Sequence, residues 1–317
     1  MACAGGPVPA ATTAPKVLAH AADLPPHYRG ILLDQFGVLH DGRTPYPGAV
    51  DAVRALAEDG RRLVVLSNSS RRSDVALAKL GALGFDSAWF VGAVTSGEVA
   101  HTRLRDRPGP FWRGLGSRVL HITWGARGGV SLDGLGLTLV GDDVGSAEFI
   151  LVHGTQALGL KGGGLAAMTL DELKEVLATA ARLSSPPPLL CANPDFVTVD
   201  GGELRTMPGT LARWYDEAGG VSVLLGKPAP EIYSAALELL GLPPAAVLGV
   251  GDSLEHDVAG ATATGVDCVF VGGGIHAAVL GLDGAGGGGL DSGALADLLR
   301  GRPAAQMPKF FMPYFVP

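Results

Sequence analysis

The chain has 317 residues, of which 47% are hydrophobic and 17% charged, with a formal net charge of −7. That is enough apolar material for one large domain or two ordinary ones, and the acidic balance argues against a nucleic-acid grip, which shows as a basic face. No stretch reaches the run of about 18 apolar residues that a membrane-spanning helix needs, and the scattered Cys3, Cys191 and Cys268 form neither a CxxC pair nor an even set for disulfides.

Residues 1–16 are rich in Ala, Pro and Thr, with Lys16 their only charged side chain. They lack the basic start and apolar core of a secretory signal. A flexible N-terminal segment in a cytoplasmic protein is expected; a short organellar transit segment is the alternative. ILLD (31–34) reads as a buried strand. A helix follows near 48–58, with Val50, Val53 and Leu56 on one face. RRLVVL (61–66) is a second buried strand, followed by a helix near 73–82. TSGE (95–98) is a capping-box pattern that makes Thr95 a helix start. This alternation predicts a parallel sheet with crossover helices.

From about 107 to 190 the pattern changes. Strand-like pieces VLHIT (119–123), LTLV (137–140) and FILVHG (149–154) are separated by Gly-rich turns. TLDE (169–172) is a second capping box and opens a helix to about 183, and Pro186–Pro188 then break the chain. VTVDGGELR (197–205) reads as a hairpin around its Asp-Gly turn.

The first style then returns. VSVLLG (221–226) is a strand, PEIYSAALELLG a helix, AAVLGVGD (245–252) a strand, LEHDVAGATATG a helix and VDCVFVGG (266–273) a strand. GAGGGG (284–289) reads as a flexible surface loop. MPKFFMPYFVP at the end either packs on the body or exposes an apolar patch. The plan is an α/β core, residues 17–106 and 207–317, split by an inserted α+β domain at 107–206.

Open parallel sheets present ligand groups at the carboxyl ends of their strands. Here those ends carry Asp34, the run Ser67-Asn68-Ser69-Ser70, Lys227, and Asp252-Ser253 with Asp257 five residues after Asp252. Singly, each has an ordinary reading: Asp34 a turn former, the serines a helix cap, Lys227 a solvated surface charge, Asp252 an N-cap. Together they suit a Mg²⁺ ion and a phosphate. Carboxylates hold a hard cation, while an amine and a hydroxyl neutralise phosphate oxygens. A carboxylate at such a centre can also attack phosphorus.

The segments ILLDQFGVLHDG, VVLSNSS, GKPAPEIY and VGVGDSLEHDVAGATATG resemble the four motifs of the haloacid dehalogenase-like (HAD) superfamily. CANPDFVTVDGGEL, lying between the second and third, looks like the cap of its class IIA subfamily. The resemblance implies a Rossmann-like, doubly wound core with an inserted cap and a Mg²⁺-dependent phosphatase acting on a small phosphorylated metabolite. It implies Asp34 as nucleophile and metal ligand, the Phe36 backbone carbonyl and Asp252 as further ligands, and Asp257 as their support. Ser67 and Lys227 would bind the transferring phosphate, and Asn68, Asn193 and Asp195 would face the substrate. No nucleic-acid or membrane partner is expected, and the cap surface could make a homodimer.

One departure bears on activity. The usual Asp-x-Asp triplet is here Asp34-Gln35-Phe36, and Phe36 can supply a carbonyl but cannot shuttle a proton. Losing general acid–base help costs roughly 10²- to 10⁴-fold. His40 or Asp41 could substitute; their bland reading is a turn with His40 packed beneath it. Two further readings therefore stay open: a HAD fold that binds a phosphometabolite without hydrolysing it, and a transferase that passes phosphate to an acceptor better than water. Arg71 and Arg72 could reach a second anionic group. Cys191 and Cys268 read as buried strand thiols.

Overall fold

The apolar runs read from the sequence become strands of two sheets. The computed structural model describes residues 14–125, 132–200, 203–283 and 288–317. The chain begins with β1 (Lys16–Val17), β2 (Gly30–Leu33), α1 (Ala49–Glu58), β3 (Arg62–Ser67), α2 (Ser73–Ala82), β4 (Phe90–Thr95), α3 (Ser96–Asp106) and the short α4 (Gly109–Gly114). Next come β5 (Arg118–Thr123), β6 (Thr138–Leu139), β7 (Phe149–Val152), β8 (Ala157–Gly159), β9 (Leu165–Ala167), α5 (Leu170–Ala181) and β10 (Leu189–Cys191). A hairpin of β11 (Val197–Asp200) and β12 (Glu203–Thr206) leads into α6 (Pro208–Glu217) and β13 (Ser222–Leu224). The chain ends with α7 (Pro230–Leu240), β14 (Val247–Gly251), α8 (Ala259–Ala263), β15 (Asp267–Val271), α9 (Ser292–Leu299) and β16 (Phe310–Met312).

The first sheet has the order β1-β16-β15-β14-β2-β3-β4, and every neighbouring pair is parallel. Its strand side chains alternate between two apolar layers, as the two-residue repeat requires. Ile31, Leu33, Leu63, Val65 and Val250 pack with Val53 and Leu56 of α1. Leu32, Val64, Leu66 and Phe270 pack with Ile232 and Leu240 of α7 and Leu295 of α9. This is a doubly wound α/β sheet covered on both faces, the Rossmann-like arrangement expected. Truncating one such leucine to alanine would cost about 2–5 kcal/mol.

The second sheet has the order β13-β10-β7-β5-β8-β9, with β6 also beside β5. Its central strands are parallel, while β8 runs antiparallel to β5 and to β9. One face packs on α5 and α6 through Leu173, Leu177, Leu211 and Tyr215. The other face packs on Ala100 and Leu104 of α3, which joins the two sheets.

Several expectations need correction. The strand at 221–226 was expected in the core half that begins at 207. Ser222–Leu224 instead pairs with Leu189–Cys191 in the second sheet. The reason is α6: Leu211 and Tyr215 are buried in the second sheet's own core, and Tyr215 Oη donates to the Pro187 carbonyl at 2.6 Å. The β10–α6–β13 unit therefore closes within that sheet.

The flexible N-terminal segment was expected to run to 16, yet Lys16 pairs opposite Phe310 in β1; residues 1–13 lie outside the described residues. The aromatic tail packs rather than projecting: β16 sits between β1 and β15 with Phe310, Phe311 and Met312 buried. Thr169 and Glu172 complete a capping box. At α3 the box is only half made, because Thr95 accepts the Glu98 N–H while the Glu98 carboxylate turns to Arg72. The helix expected at 254–264 begins as a wider π-type turn, Leu254–Val258. Residues 284–287 of the Gly-rich loop and 201–202 of the hairpin turn lie outside the described residues. Among the described residues no helix is long and apolar enough to cross a membrane.

Candidate active site

Strand order reverses at the junction of β2 and β14: the chain proceeds from β2 to β3 on one side and from β14 to β15 on the other. A crevice outside the carboxyl ends of such strands is where α/β sheets hold ligands. Asp34 follows β2, with its N–H still donating to the Val250 carbonyl at 2.9 Å. Ser67 ends β3, Asp252 follows β14, and Asp257 sits in the π-type turn beyond it.

Lys227, a short way past β13, reaches into this crevice. Its Nζ donates to Asp34 Oδ1 at 2.6 Å and to Asp257 Oδ1 at 2.7 Å. All three side chains are buried. Asp34, Asp252 and Asp257 each place a carboxylate oxygen within 4.8 Å of the others. Asp252 accepts the Ile275 N–H at 2.9 Å and Asp257 the Ser253 N–H at 3.1 Å.

Two glycines allow this crowding. A Cβ on Gly37, which has φ +80, would stand 1.8 Å from Asp252 Oδ2; one on Gly251 would stand 2.0 Å from Asp257 Cγ.

The electrostatics follow from burial. Desolvation pushes Asp34 up to about 7, with the Lys227 charge pulling down and the Asp257 charge pushing up. Asp252 is raised well above the carboxylate range by desolvation and then by the charges of Asp34 and Asp257. Desolvation works against the Lys227 ammonium, but the charges of Asp257 and Asp34 outweigh it and raise its pKa. The cluster sets three carboxyl groups against one ammonium, and the raised pKa values of Asp34 and Asp252 reflect burial and that imbalance. Its all-oxygen donor set fits a hard divalent cation.

A cavity of about 450 Å³ opens above these groups, within the range of small-molecule sites. Phe36 lies on its wall, with Lys79 Nζ 5.7 Å from the ring centroid. The second sheet supplies Asn193 and Asp195 from the turn after β10, where Asn193 Oδ1 accepts the Asp195 N–H at 3.1 Å. Asp195 Oδ1 in turn accepts from Asn68 Nδ2 at 2.8 Å. A Cβ on Gly209 would meet the Pro194 carbonyl oxygen at 2.1 Å, so the start of α6 presses directly on this turn.

The crevice thus brings together Asp34, Phe36, Ser67, Asn68, Asp41, Asn193, Asp195, Lys227, Asp252 and Asp257. His40 is the exception. It is fully buried and does not line the cavity. Its Nδ1 accepts the Gly42 N–H at 3.0 Å, and burial followed by the Lys79 charge lowers its pKa to about 4. A neutral imidazole beneath Phe36 is not placed to hand a proton to a bound molecule.

Asp41 does line the cavity and accepts the Arg43 and Thr44 N–H groups at 2.8 and 2.7 Å. Burial raises its pKa, but those hydrogen bonds win and hold it below the usual value. Arg72 is bound to Glu98 at 2.7 and 2.9 Å, while Arg71 lines the cavity. Burial pushes the Cys191 thiol up to about 12, in keeping with a structural role.

The sequence reading missed His256, Trp124 and Phe196 on the cavity wall. His256 carried a usable signal, standing directly before Asp257. Trp124 carried one too, standing directly after a strand.

A family model described as haloacid dehalogenase-like hydrolase matches residues 31–126, and one described as HAD-hydrolase-like matches 224–284. Most of the second sheet lies between the matched segments. Chronophin of Rattus norvegicus is 31% identical over 240 residues, covering 73% of this chain and 72% of the relative. Glycerol-3-phosphate phosphatase of Homo sapiens is 28% identical over 257 residues, covering 72% and 74%. A haloacid dehalogenase-like hydrolase structure from Brucella suis 1330 superposes with a TM-score of 0.73 at 28% identity, covering 95% of this chain and all 100% of that one. A glycerol phosphate phosphatase from Mycobacterium tuberculosis, solved with calcium, shares the fold, with a TM-score of 0.61 at 22% identity and coverage of 93% and 72%. By its sequence relatives and its strand-end residues alike, the chain belongs to the haloacid dehalogenase-like hydrolase family.

Proposed function

We propose that the chain is a Mg²⁺-dependent phosphatase of a small phosphorylated metabolite, with Asp34 as the nucleophile. The observation that carries this reading is the buried cluster in which Lys227 bridges Asp34 and Asp257 beside Asp252. Asp34, Asp252 and the Phe36 carbonyl would hold the ion, with Asp257 behind them. Bound there, it would neutralise charge on the phosphate oxygens.

The chain's own residues do the rest. Ser67 and Lys227 hold the phosphate. A carboxylate oxygen of Asp34 attacks phosphorus as the ester P–O bond breaks, and the departing oxygen takes up a proton from solvent water. Water then attacks the phosphorus of the aspartyl-phosphate and loses its proton to a base, releasing inorganic phosphate and restoring Asp34. Asp41 is the carboxylate beside the Asp34-Gln35-Phe36 triplet on the cavity wall, and its lowered pKa makes it a weak base for that step, in keeping with slow turnover. The second sheet and its hairpin act as the cap that selects the substrate. The cavity of about 450 Å³ and relatives named as phosphatases of a three-carbon phosphate support a small monoester.

The test is phosphate release from a panel of small phosphate esters, with and without Mg²⁺, for wild type beside Asp34→Asn. Turnover that needs both the ion and Asp34 supports the reading; equal release by Asp34→Asn removes it.

Phe36 favours a second reading, a protein that binds a phosphometabolite without turning it over. No proton can be exchanged where its ring meets the cavity. Mg²⁺ and phosphate binding by calorimetry, with no release from any ester, would select this alternative.

A further inference from the structure

Asn68 was expected to touch substrate, but its amide has nothing left to offer one. Oδ1 accepts the Lys227 N–H at 2.7 Å and Ser96 Oγ at 3.4 Å. Nδ2 donates to Asp195 Oδ1 at 2.8 Å and to the Lys227 carbonyl at 3.3 Å. A primary amide has two donors and two acceptor sites, and all are used. The orientation is not ambiguous, because the Lys227 N–H needs an acceptor. The residue is 3% exposed.

The partners of Asn68 explain what it does instead. Asn68 grips the backbone of Lys227 at both its N–H and its carbonyl, so it sets where the buried ammonium can reach. The remaining donor goes to Asp195, which belongs to the second sheet. A Cβ on Gly226 would stand 2.2 Å from Ser96 Oγ, 2.6 Å from Asn68 Oδ1 and 2.8 Å from Pro194 Cδ. The Ser67–Ser70 run, the lysine segment and the 193–195 turn therefore converge with no room to spare. Asp195 also faces His256 Nδ1 at 3.6 Å, a second tie to the core sheet.

We propose that Asn68 is a positioning residue that couples the 193–195 turn of the cap to the Lys227 ammonium, so that phosphate is held tightly only while Asp195 engages the Asn68 amide. The proposal rests on the phosphate site proposed above. It makes the cap a condition of phosphate binding as well as a selector of substrate.

Charge alone and positioning predict opposite signs. The Asp195 carboxylate acts on Asp34 through space, so deleting it should by charge alone tighten an anion. The measurement is inorganic phosphate binding by calorimetry with Mg²⁺, in wild type, Asp195→Ala, Asp195→Asn, Asn68→Ala and the Asn68→Ala/Asp195→Ala double variant. Asp195→Ala is expected to bind about tenfold more weakly, the loss expected of one hydrogen bond. Asp195→Asn keeps an oxygen for Asn68 Nδ2 and should bind as wild type or tighter. In the Asn68→Ala background, Asp195→Ala should add no further loss.

Unchanged or tighter binding by Asp195→Ala, or additive losses in the double variant, would overturn the proposal. Should Asn68→Ala fail to fold, the Asp195 variants still decide the sign. If wild type binds no phosphate, the phosphatase reading is still decided by the Asp34→Asn comparison above. The coupling is then read from the Lys227 ammonium ¹⁵N resonance, assigned by its loss in Lys227→Met. That signal should move in Asp195→Ala, and a signal that stays in place removes the coupling too.

Discussion

Phe36 and His40 meet edge to face, with ring centroids 4.7 Å apart and planes at 77°. A Cβ on Gly42 would touch Phe36 Cε1 at 3.0 Å, so the turn after Asp34 is packed around this ring. The place where the family resemblance implies a proton-transferring carboxylate is therefore filled by an apolar side chain with its own packing role.

Restoring a carboxylate should restore proton transfer. Phe36→Asp is expected to raise kcat about 10²-fold, and more for alkyl than for aryl phosphates, because aryl leaving groups need less protonation. A leaving-group series measured on both proteins checks this. No gain across the series would mean that the remaining groups no longer align for hydrolysis.

Divalent cation should stabilise the fold through the carboxylates of Asp34, Asp252 and Asp257. Mg²⁺ at a hundred times its Kd is expected to add about 2.7 kcal/mol, and chelator should reverse the gain. Thermal melts with Mg²⁺ and with EDTA measure it. Asp252→Asn should melt at the same temperature in both conditions.

Gly37 and Gly60 share a left-handed backbone, φ +80 and +79, but differ in surroundings. A Cβ on Gly37 strikes Asp252 at 1.8 Å, whereas Gly60 has nothing within 4 Å. Gly60→Ala should cost about 1–2 kcal/mol of stability and leave activity intact. Gly37→Ala should also lose the Mg²⁺-dependent rise in Tm, because Asp252 must shift. Equal behaviour of the two variants would contradict the crowding argument.

Part of the pH dependence of stability should come from a histidine pair in the second sheet. His121 Nε2 lies 2.5 Å from His153 Nε2, and both rings are buried. Desolvation lowers His121 to about 4 and, with the His121 charge added, lowers His153 well below its usual value. Below pH about 6.5 the unfolded chain binds these protons and the folded chain does not, so stability is full above that pH and falls as pH drops toward 4. Each group contributes a slope of up to about 1.4 kcal/mol per pH unit. Asp34 and Asp252, raised by burial, add slopes of the opposite sign and His40 one of the same sign. The test is therefore a difference: in urea melts from pH about 7.5 to 5, a His121→Phe/His153→Leu double variant should lose less stability toward acid than wild type.

The sequence by itself determined four of the core strands, β2, β3, β14 and β15, and the polar residue that ends three of them, while β4 was not read as a strand. Asp34, Ser67 and Asp252 were legible because a strand buried on both faces must be apolar, and the first polar residue after it stands where the sheet meets solvent. The two helix starts at Thr95 and Thr169 were legible because capping is local.

Tertiary structure alone decided the rest, because those outcomes depend on partners far away in the chain. Ser222–Leu224 reads like any core strand, and only the packing of Leu211 and Tyr215 assigns it to the second sheet. The tail became a strand because β1 and β15 flank it. Asn68 looked like a substrate ligand until Asp195, 127 residues away, and Lys227, 159 away, filled its amide. His40 looked like a spare acid until burial under Phe36 made it neutral and inaccessible. A residue's type states what it can bond; which bonds remain for a ligand is settled only when the chain has closed around it.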